Sequence, residues 1–543
     1  MKDVDYVIVG AGSAGCVLAN RLSADPSATV LVLEAGGSDL HPWVQMPIGY
    51  GKAFYHRGIN WCYQTEPDPG TAGRRSYWPR GKVLGGSSAI NAMVFVRGQA
   101  ADYDGWAARG NPGWAYADVL PYFKRLEDNQ AGADDWRATG GPISVADISK
   151  RVHPLCQDYL AAGEATGLAR NPDFNGETQE GVGIYQITTR GRRRCSAARG
   201  YLHPAAKRPN LEIRTKAQAT RLLFEGKRAV GVAYHHKGAL QQVRARRSVL
   251  LTAGSINSPQ LLQLSGIGDP ALLAEHGIPL VKAAPLVGRN LQDHLGLDHI
   301  FEANRPTLNQ VLRPWWGKAA LGLRFLLTGG GPLSLSVNQG GGFFRSSPER
   351  ERPNMQLYFS PVSYIKAPPG KRPLMSPDPY PGFLLGISNC HPSSRGYLQI
   401  RSKDPFEAPA IHPNYLSTNE DVVELLEAAR FLRRLSATPQ LRAITKRELL
   451  PGQAIESDAD MVEDLRQRAG TVFHPCGTCS MGPSPADSVV DPRLKVHGVE
   501  GLRVVDASIM PLITSGNLNA PTMMIAEKAA DMILADEAQG LAA

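Results

Sequence analysis

The sequence has no uninterrupted apolar run of roughly 18 residues or more, the length that a membrane-spanning helix needs. It also has no internal repeat, no low-complexity tract and no heptad pattern, which excludes solenoid, disordered and coiled-coil classes. Its 543 residues, 43% of them apolar, are enough to bury a large core and to form more than one domain. A soluble globular protein is the expectation.

Cysteine is scarce, and the seven residues are scattered and odd in number, which suits a reducing compartment better than a disulfide framework. Cys476 and Cys479 form a Cys-x-x-Cys pair, but no second pair or His-x-His spacing accompanies it. We therefore predict no metal site. A signal peptide has no room before the first apolar strand, so we expect a cytoplasmic protein, either free or in contact with the inner face of the membrane.

The net charge of +9 is spread diffusely along the chain. Its densest cluster is Arg190, Arg192, Arg193 and Arg194, and no aromatic residues are interleaved with it. We interpret this cluster as a solvated face or turn and predict no nucleic-acid partner.

The segment 315–327 comes nearest to a long apolar run, since tryptophans and leucines surround Lys318 and Arg324 there. Two interpretations stay open. The segment is either an amphipathic helix that makes a peripheral membrane contact or an ordinary packed helix of a cap domain.

The N-terminal pattern is typical of a dinucleotide-binding fold. An apolar run at residues 5–9 is followed by Gly10-Ala11-Gly12-Ser13-Ala14-Gly15 and by a helix-like stretch at 16–22. The glycines allow a tight turn, a close approach of backbone to pyrophosphate and close packing of helix on strand. A second apolar strand at 29–34 ends in Glu34, where a ribose hydroxyl needs an acceptor. We predict a dinucleotide site.

Two further segments are rich in small residues. The first, 79–91, reads Pro-Arg-Gly-Lys-Val-Leu-Gly-Gly-Ser-Ser-Ala-Ile-Asn and offers a surface for a flat ring or a phosphate. The second follows an apolar strand at 248–253 and contains Gly254, Ser258 and Pro259. We expect Ser258 to cap a helix whose first residue is Pro259.

With Phe473-His474-Pro475-Cys476-Gly477-Thr478 and Asn517-Leu518-Asn519-Ala520-Pro521, these segments resemble the glucose–methanol–choline (GMC) oxidoreductase family. The likeness covers nearly the whole chain and is closest to bacterial choline-dehydrogenase-like and FAD-dependent alcohol dehydrogenases. It implies FAD as the cofactor. Some members tether the flavin through a histidine where Ile90 stands here, so we expect non-covalent FAD.

The resemblance also implies which residues bind FAD. They are Gly10, Gly12, Ser13, Ala14, Gly15, Glu34, Ala35, Trp61, Arg80, Gly81, Val83, Gly85, Gly86, Ser87, Asn91, Ala92, Met93, Val94, Ala219, Ala253, Gly254, Ser258, Phe473, Asp506, Ala507, Asn519, Ala520 and Pro521.

Alcohol oxidation needs a base for the hydroxyl proton, and histidine suits that task near neutral pH. By resemblance the base is His474 and its partner is Asn517, while the carbinol hydride passes to flavin N5. A helix is predicted at 521–533, with its N-terminus directed at the flavin ring, where its partial positive charge would stabilise reduced flavin.

The predicted fold class is α/β (α+β overall). A Rossmann-like FAD-binding domain with a parallel sheet is expected from residues 1–300 and is completed by the C-terminal segment 470–543. A substrate-binding cap domain with an antiparallel sheet and helices is expected from residues 301–469.

The predicted reaction is oxidation of a primary alcohol to the aldehyde, with a quinone, a carrier protein or oxygen as electron acceptor. Choline oxidation is an alternative, disfavoured because Gln339 stands where a glutamate is expected. A non-catalytic flavoprotein module is another alternative, and so is a light-driven fatty-acid decarboxylase, for which Cys390 is the candidate cysteine. We make no prediction of the oligomeric state.

Overall fold

The computed structural model describes residues 2–364 and 376–542, with side chains up to residue 539. A mostly parallel sheet forms one half of the molecule. In spatial order its strands are Leu211–Arg214, Val30–Leu33, Lys2–Val9, Ala239–Leu251, Arg228–His236 and Ala217–Glu225, and Leu502–Val504 pairs with the end of Ala239–Leu251. The pairings of Arg228–His236 are antiparallel and the others are parallel.

An antiparallel sheet forms the other half, and the predicted α/β fold class is therefore confirmed. In spatial order its strands are Thr445–Leu450, Leu295–Ala303, Gly382–Asn389, Met355–Ser360, Gly340–Phe344 and Gly181–Ile184, and Gly470–Thr471 also pairs with Leu295–Ala303. Residues 181–184 and 295–300 thus belong to this sheet although they precede residue 301. The domain boundaries at residues 300 and 469 stay predictions.

Helices surround both sheets. Their bounds are Ser13–Leu22, Pro42–Gln45, Tyr50–Ala53, Ala100–Ala108, Tyr116–Leu126, Leu155–Ala165, His203–Ala205, Gly254–Leu264, Pro270–Glu275, Asn309–Leu312, Trp315–Thr328, Asn419–Ser436, Pro439–Arg442, Asp458–Arg468 and Asn519–Ala542. Short 3-10 or π turns lie at Pro47–Gly49, Pro69–Thr71, Gly86–Ala89, Ala198–Leu202, Pro332–Ser334 and Ala507–Ile509. Across the described ranges, none of these helices combines the length and apolarity needed to cross a bilayer.

Paired short strands complete the structure. They are Tyr63–Gln64 with Tyr77–Trp78, Glu127–Asn129 with Ile143–Val145, Thr189–Arg190 with Arg193–Arg194, Ile267–Gly268 with Lys282–Ala283, and Tyr397–Gln399 with Ala410–His412.

The first and last helices pack against each other, which brings the two ends of the chain to one place. Arg21 forms ion pairs with Glu527 and Asp531 across this contact. At its other end the Ser13 hydroxyl donates to Asn519 Oδ1 over 2.8 Å. The last helix is therefore part of the parallel-sheet half, although Asn519 follows Ser13 by 506 positions in the sequence.

The predicted cap at Ser258 is wrong, because the helix begins four residues earlier, at Gly254. Ser258 lies inside it, and its hydroxyl donates to Asp506 Oδ2 over 2.6 Å. Pro259 is tolerated within the helix although it lacks the N–H that would bond the Ser255 carbonyl. The Thr478 hydroxyl takes that place and donates to the Ser255 oxygen over 2.6 Å.

The arginine cluster is only partly solvated. The cluster lies on a turn between two paired strands, as one of the two interpretations predicted. Arg193 is exposed, whereas Arg194 is buried, so the other interpretation, a solvated face, is wrong for Arg194. Its guanidinium donates to the Val44 carbonyl and to Asn91 Oδ1, and burial lowers its pKa to about 9. A buried charge is stabilised by hydrogen bonds, and Val44 and Asn91 supply acceptors for this guanidinium.

Thr478→Val should lower the free energy of unfolding by about 1–3 kcal/mol, because the buried Ser255 carbonyl then has no donor in place of the missing N–H of Pro259. Thermal and denaturant unfolding measure this loss. In a Pro259→Ala background the loss should be smaller, since alanine supplies the N–H that proline lacks. An equal loss in both backgrounds would contradict this explanation.

Candidate active site

A cavity of about 340 Å³ lies between the two sheets. The loops that follow parallel strands form one wall, with Gly10, Gly12 and Glu34 among them, and Tyr358 and Leu384 of the antiparallel sheet lie on the other side. Ligands commonly bind at the carboxyl ends of parallel strands, where backbone N–H groups and helix N-termini face outward. The cavity is thus the candidate site.

The glycines of the first two clusters are in close contact with backbone. A Cβ at Gly15 would lie 1.9 Å from the Gly10 carbonyl oxygen, and one at Gly86 would lie 2.6 Å from the Gly12 Cα. Gly10 also has a φ of 104°, in the region that favours glycine. The Gly85 N–H donates to the Ala11 carbonyl over 2.7 Å and joins the two loops. A flat surface of backbone results, next to the uncapped start of helix Ser13–Leu22.

Glu34 lies at the end of the second strand, as predicted, and lines the cavity. Its two carboxylate oxygens accept from the N–H groups of Ala11 and Gly36, each over 2.8 Å. Burial raises the pKa of the Glu34 carboxyl to about 7 despite these bonds. Carboxylate oxygens have further lone pairs, so two hydroxyl donors of a ribose fit beside the existing bonds.

Most of the predicted cofactor residues line this cavity. They are Gly10, Gly12, Ser13, Ala14, Glu34, Ala35, Trp61, Arg80, Gly81, Gly86, Ser87, Asn91, Ala92, Met93, Val94, Ala219, Ala253, Gly254, Phe473, Asp506, Ala507 and Asn519. The structure does not bring the remaining ones to the cavity surface, namely Gly15, Val83, Gly85, Ser258, Ala520 and Pro521. Of these six, Gly85 and Ser258 hold the wall by hydrogen bonds to Ala11 and Asp506, and Gly15 packs against Gly10.

His474 lines the cavity on a segment whose backbone is firmly held. The preceding Phe473 has a φ of 73°, which is rare for a bulky residue and is maintained by its neighbours. Arg80 Nη2 donates to the Phe473 carbonyl over 2.6 Å, and the Phe473 N–H donates to Thr471 Oγ1 over 2.8 Å. The His474 N–H donates to Asp293 Oδ1 over 2.6 Å. The imidazole position is therefore set by bonds on both sides.

A second histidine determines which nitrogen of His474 holds the proton. His294 Nε2 lies 3.1 Å from the Cys390 carbonyl oxygen, which only accepts, so Nε2 of His294 has the hydrogen. Burial lowers the pKa of His294 to about 3, so its other nitrogen, Nδ1, is bare. That nitrogen lies 2.9 Å from His474 Nδ1. His474 must therefore donate from Nδ1, which leaves its Nε2 unprotonated.

Bonds on the opposite side of His474 require the same arrangement. The Tyr185 hydroxyl donates to the Leu357 carbonyl over 2.6 Å, so its oxygen accepts from Gln356 Nε2. The same amide nitrogen donates to Asn517 Oδ1 over 3.4 Å. Asn517 Nδ2 is then directed at His474 Nε2, 3.1 Å away. Donors and acceptors match along the whole path.

The pKa of His474 lies well below the usual 6.5, mainly because of burial and further because of His294 and the positive charge of Arg80. The imidazole is thus neutral near pH 7, and its free lone pair on Nε2 faces a donor amide in the cavity. A neutral base next to a hydrogen-bond donor can hold a hydroxyl group and accept its proton.

Comparison with protein families agrees with this geometry. A GMC oxidoreductase N-terminal model matches residues 4–296, and the C-terminal model matches residues 392–526. The chain belongs to the GMC oxidoreductase family.

Curated relatives of this GMC oxidoreductase align over almost their full length. Alcohol dehydrogenase [acceptor] of Pseudomonas putida is 46% identical over 534 residues, covering 98% of this chain and 95% of the relative. Oxygen-dependent choline dehydrogenase 1 of Chromohalobacter salexigens is 44% identical over 537 residues, with the same coverage. The protein is therefore an oxidoreductase.

Solved structures are similar as well. Pyridoxine 4-oxidase from Mesorbium loti superposes with a TM-score of 0.87 at 32% identity, covering 97% of this chain and 98% of the other. A formate oxidase superposes with a TM-score of 0.90 at 26% identity, covering 99% of each chain. The cofactor of this GMC oxidoreductase is FAD, and the glycine surface and Glu34 fit its pyrophosphate and ribose.

Several cavity residues were not predicted from the sequence. The antiparallel sheet and its adjoining loops contribute Asp298, Asn338, Tyr358, Tyr364 and Leu384. Strand register decides which residues of a sheet face a cavity, and no local pattern reveals it. His294 and Gln356 act from behind the cavity, and neither was predicted as a site residue.

Two residues singled out in the sequence lie away from the cavity. Gln339 is buried, and its Oε1 accepts from the His153 N–H over 2.7 Å, so its side chain does not face the cavity and carries no argument against choline. Its neighbour Asn338 faces the cavity instead. Cys390 is buried among apolar side chains, which raises the pKa of its thiol, and only its carbonyl takes part in the site.

Acid precipitation of the purified protein should release all of its flavin into the supernatant. Ile90 is buried at the position of the tethering histidine and has no nucleophilic atom. Absorbance of the supernatant and the mass of the denatured chain measure this. The chain should have the 58.6 kDa of the sequence alone, and a mass increase equal to FAD would contradict non-covalent binding.

Proposed function

We propose that this GMC oxidoreductase oxidises a primary alcohol to the aldehyde, with His474 as general base and Asn517 as its partner. The supporting observation is the unprotonated Nε2 of His474, held 3.1 Å from Asn517 Nδ2 inside the cavity. An alcohol oxygen on the cavity side of this pair would replace their direct bond, because it would accept from the amide and donate its own proton to the imidazole Nε2. The cavity-lining residues of the glycine clusters are proposed to bind FAD without a covalent bond.

Each residue then has a distinct task. His474 Nε2 accepts the hydroxyl proton, and Asn517 Nδ2 holds the oxygen so that the carbinol C–H keeps one orientation. FAD, held by the glycine surface and Glu34, would supply the acceptor for the hydride of that carbon. Loss of the hydroxyl proton to His474 and of that hydride would convert the alcohol into the aldehyde.

The charge near the cofactor is also favourable for this reaction. Helix Asn519–Ala542 begins at the cavity, and the start of a helix has a partial positive charge. Arg80 lies beside Phe473 and His474 and remains charged, although burial lowers its pKa to about 10. Both groups are fixed in position, so they stabilise negative charge that develops in the cavity without having to reorient.

The part of the cavity wall that we assign to the substrate favours a partly apolar alcohol. Tyr50, Phe54, Tyr364 and Leu384 line it, and Asn338 adds a polar group. Aliphatic and aromatic primary alcohols fit such a wall. We propose a quinone or carrier protein as the electron acceptor, with oxygen as the alternative. One relative is named for an unspecified acceptor and the other for oxygen.

A cationic alcohol such as choline is the second candidate. The observation that favours it is Asp298, which lines the cavity on the same sheet face as Tyr358, since both pair with Gly386. A carboxylate near aromatic faces attracts a quaternary ammonium group.

Anaerobic addition of an alcohol from the substrate class should reduce the bound flavin and bleach its absorbance. The panel contains hexanol, benzyl alcohol, a short polyethylene glycol and choline. His474→Gln should slow this reduction by about 10²–10⁴-fold, because no base of suitable pKa replaces the imidazole. Stopped-flow absorbance measures the rate.

The matched control is His276→Gln, which changes a histidine outside the cavity and should leave the rate unaltered. Bleaching by choline alone would favour the second candidate. Failure of every alcohol, with FAD bound, would overturn the proposed function. Oxygen consumption and quinone reduction with the best alcohol then distinguish the acceptors.

The rate of flavin reduction by a neutral alcohol should remain high as the pH is lowered to 6.5. The base must be unprotonated, and its lowered pKa keeps it so until the pH falls below the usual histidine value. The acid limb of the pH–rate profile should therefore have its midpoint below 6.5. A midpoint at 6.5 or above would contradict the burial argument for His474.

A further inference from the structure

Helix Trp315–Thr328 turns its apolar side chains to the solvent. The exposed fractions are 80% for Trp315, 60% for Trp316, 59% for Leu323, 69% for Leu326 and 76% for Leu327. Half of the ten large apolar residues exposed in the described parts of the chain thus lie on one helix of 14 residues. Single exposed apolar residues are ordinary, whereas a cluster of this kind marks an interaction surface.

The exposed residues form a continuous stripe. At about 100° per residue, positions 315, 316, 319, 320, 323, 326 and 327 occupy an arc of about 140°. Gly317 and Leu321 are buried on the opposite side, where the helix packs on its own protein. Lys318 and Arg324 lie at the two borders between these faces. Their long side chains can reach along the apolar stripe while their charges stay in water.

The charge around the stripe has one sign. The sequence contains no aspartate or glutamate between Glu302 and Glu349. Arg313, Lys318 and Arg324 form no ion pair within residues 2–364 and 376–542, and the same holds for Arg193 of the neighbouring hairpin. Arg192 of that hairpin donates to the Leu326 carbonyl and brings its charge beside the helix end.

We propose that this helix lies in the interface of an anionic phospholipid bilayer, parallel to the membrane plane. Tryptophan favours the headgroup level, leucine the acyl boundary, and arginine and lysine the lipid phosphates. A second protein surface would need an acidic complement around an apolar groove. An anionic membrane offers negative headgroups and an apolar interior over its whole area. It can therefore accept the apolar stripe and the surrounding cations without a groove of matching shape.

Helix Trp315–Thr328 is connected to the wall of the cavity through a short series of contacts. The helix contacts the turn Pro332–Ser334, and that turn contacts Pro47–Gly49. The short helix that follows Pro47–Gly49 in the sequence begins with Tyr50, which lines the cavity. Val311 and Leu312, just before the helix, pack on the same apolar cluster as Phe54. A membrane under the helix would therefore lie on the cap side of the cavity.

Flotation of the holoprotein with lipid vesicles tests the proposal. The vesicles are phosphatidylcholine alone or with about 30 mol% phosphatidylglycerol, in about 0.1 M salt. The protein should bind the anionic vesicles at least about tenfold more tightly than the neutral ones, and added salt should weaken that binding. The triple variant Leu323→Gln, Leu326→Gln, Leu327→Gln should lose at least about tenfold in binding.

The matched control is Leu240→Gln, Leu280→Gln, which changes exposed leucines elsewhere and should bind like the wild type. Flavin content and far-ultraviolet circular dichroism show that each variant is folded. Absence of wild-type binding to anionic vesicles would overturn the proposal, as would equal binding of the triple variant. A wild-type dimer that the triple variant abolishes, without vesicle binding, would assign the stripe to a second copy of the chain.

Discussion

A backbone carbonyl oxygen only accepts hydrogen bonds, and the candidate active site depends on that constraint at two places. The Cys390 carbonyl requires a hydrogen on His294 Nε2, and the Leu357 carbonyl requires the Tyr185 hydroxyl to donate. Each carbonyl thereby fixes the donors and acceptors along one series of hydrogen-bonded side chains, and both series end at His474. The result is a neutral imidazole with its proton on Nδ1 and its lone pair on Nε2.

The two halves of the molecule are both needed for this arrangement. The segment around His474 is attached to helix Gly254–Leu264, since Ser255 Oγ donates to the Pro475 carbonyl over 2.7 Å and Thr478 donates back to Ser255. Gln356 comes from the antiparallel sheet and orients Asn517. His474 is therefore attached to the parallel-sheet half through Ser255, while the orientation of Asn517 depends on the antiparallel sheet. Flavin and substrate would meet between them.

Local rules explain how much of this could be predicted from the sequence. Strand, glycine turn, helix and Glu34 follow one another within 34 residues, so their geometry is encoded in short spacing. The match to the family's motifs added His474 and Asn517. The cap-side residues Asp298 and Tyr358 depend on strand register, which only tertiary packing sets. Ser258 was misassigned because a local cap rule competed with a long-range bond to Asp506.

The most direct test of the central claim is nitrogen-15 magnetic resonance of the histidine-labelled holoprotein near neutral pH, with His474→Gln used to assign the His474 signals. We predict a neutral ring with a protonated Nδ1 and a bare Nε2. We also predict that His294→Phe, which removes the acceptor for Nδ1, alters that pattern. A proton on Nε2, or on both nitrogens, would contradict the proposed hydrogen-bond path.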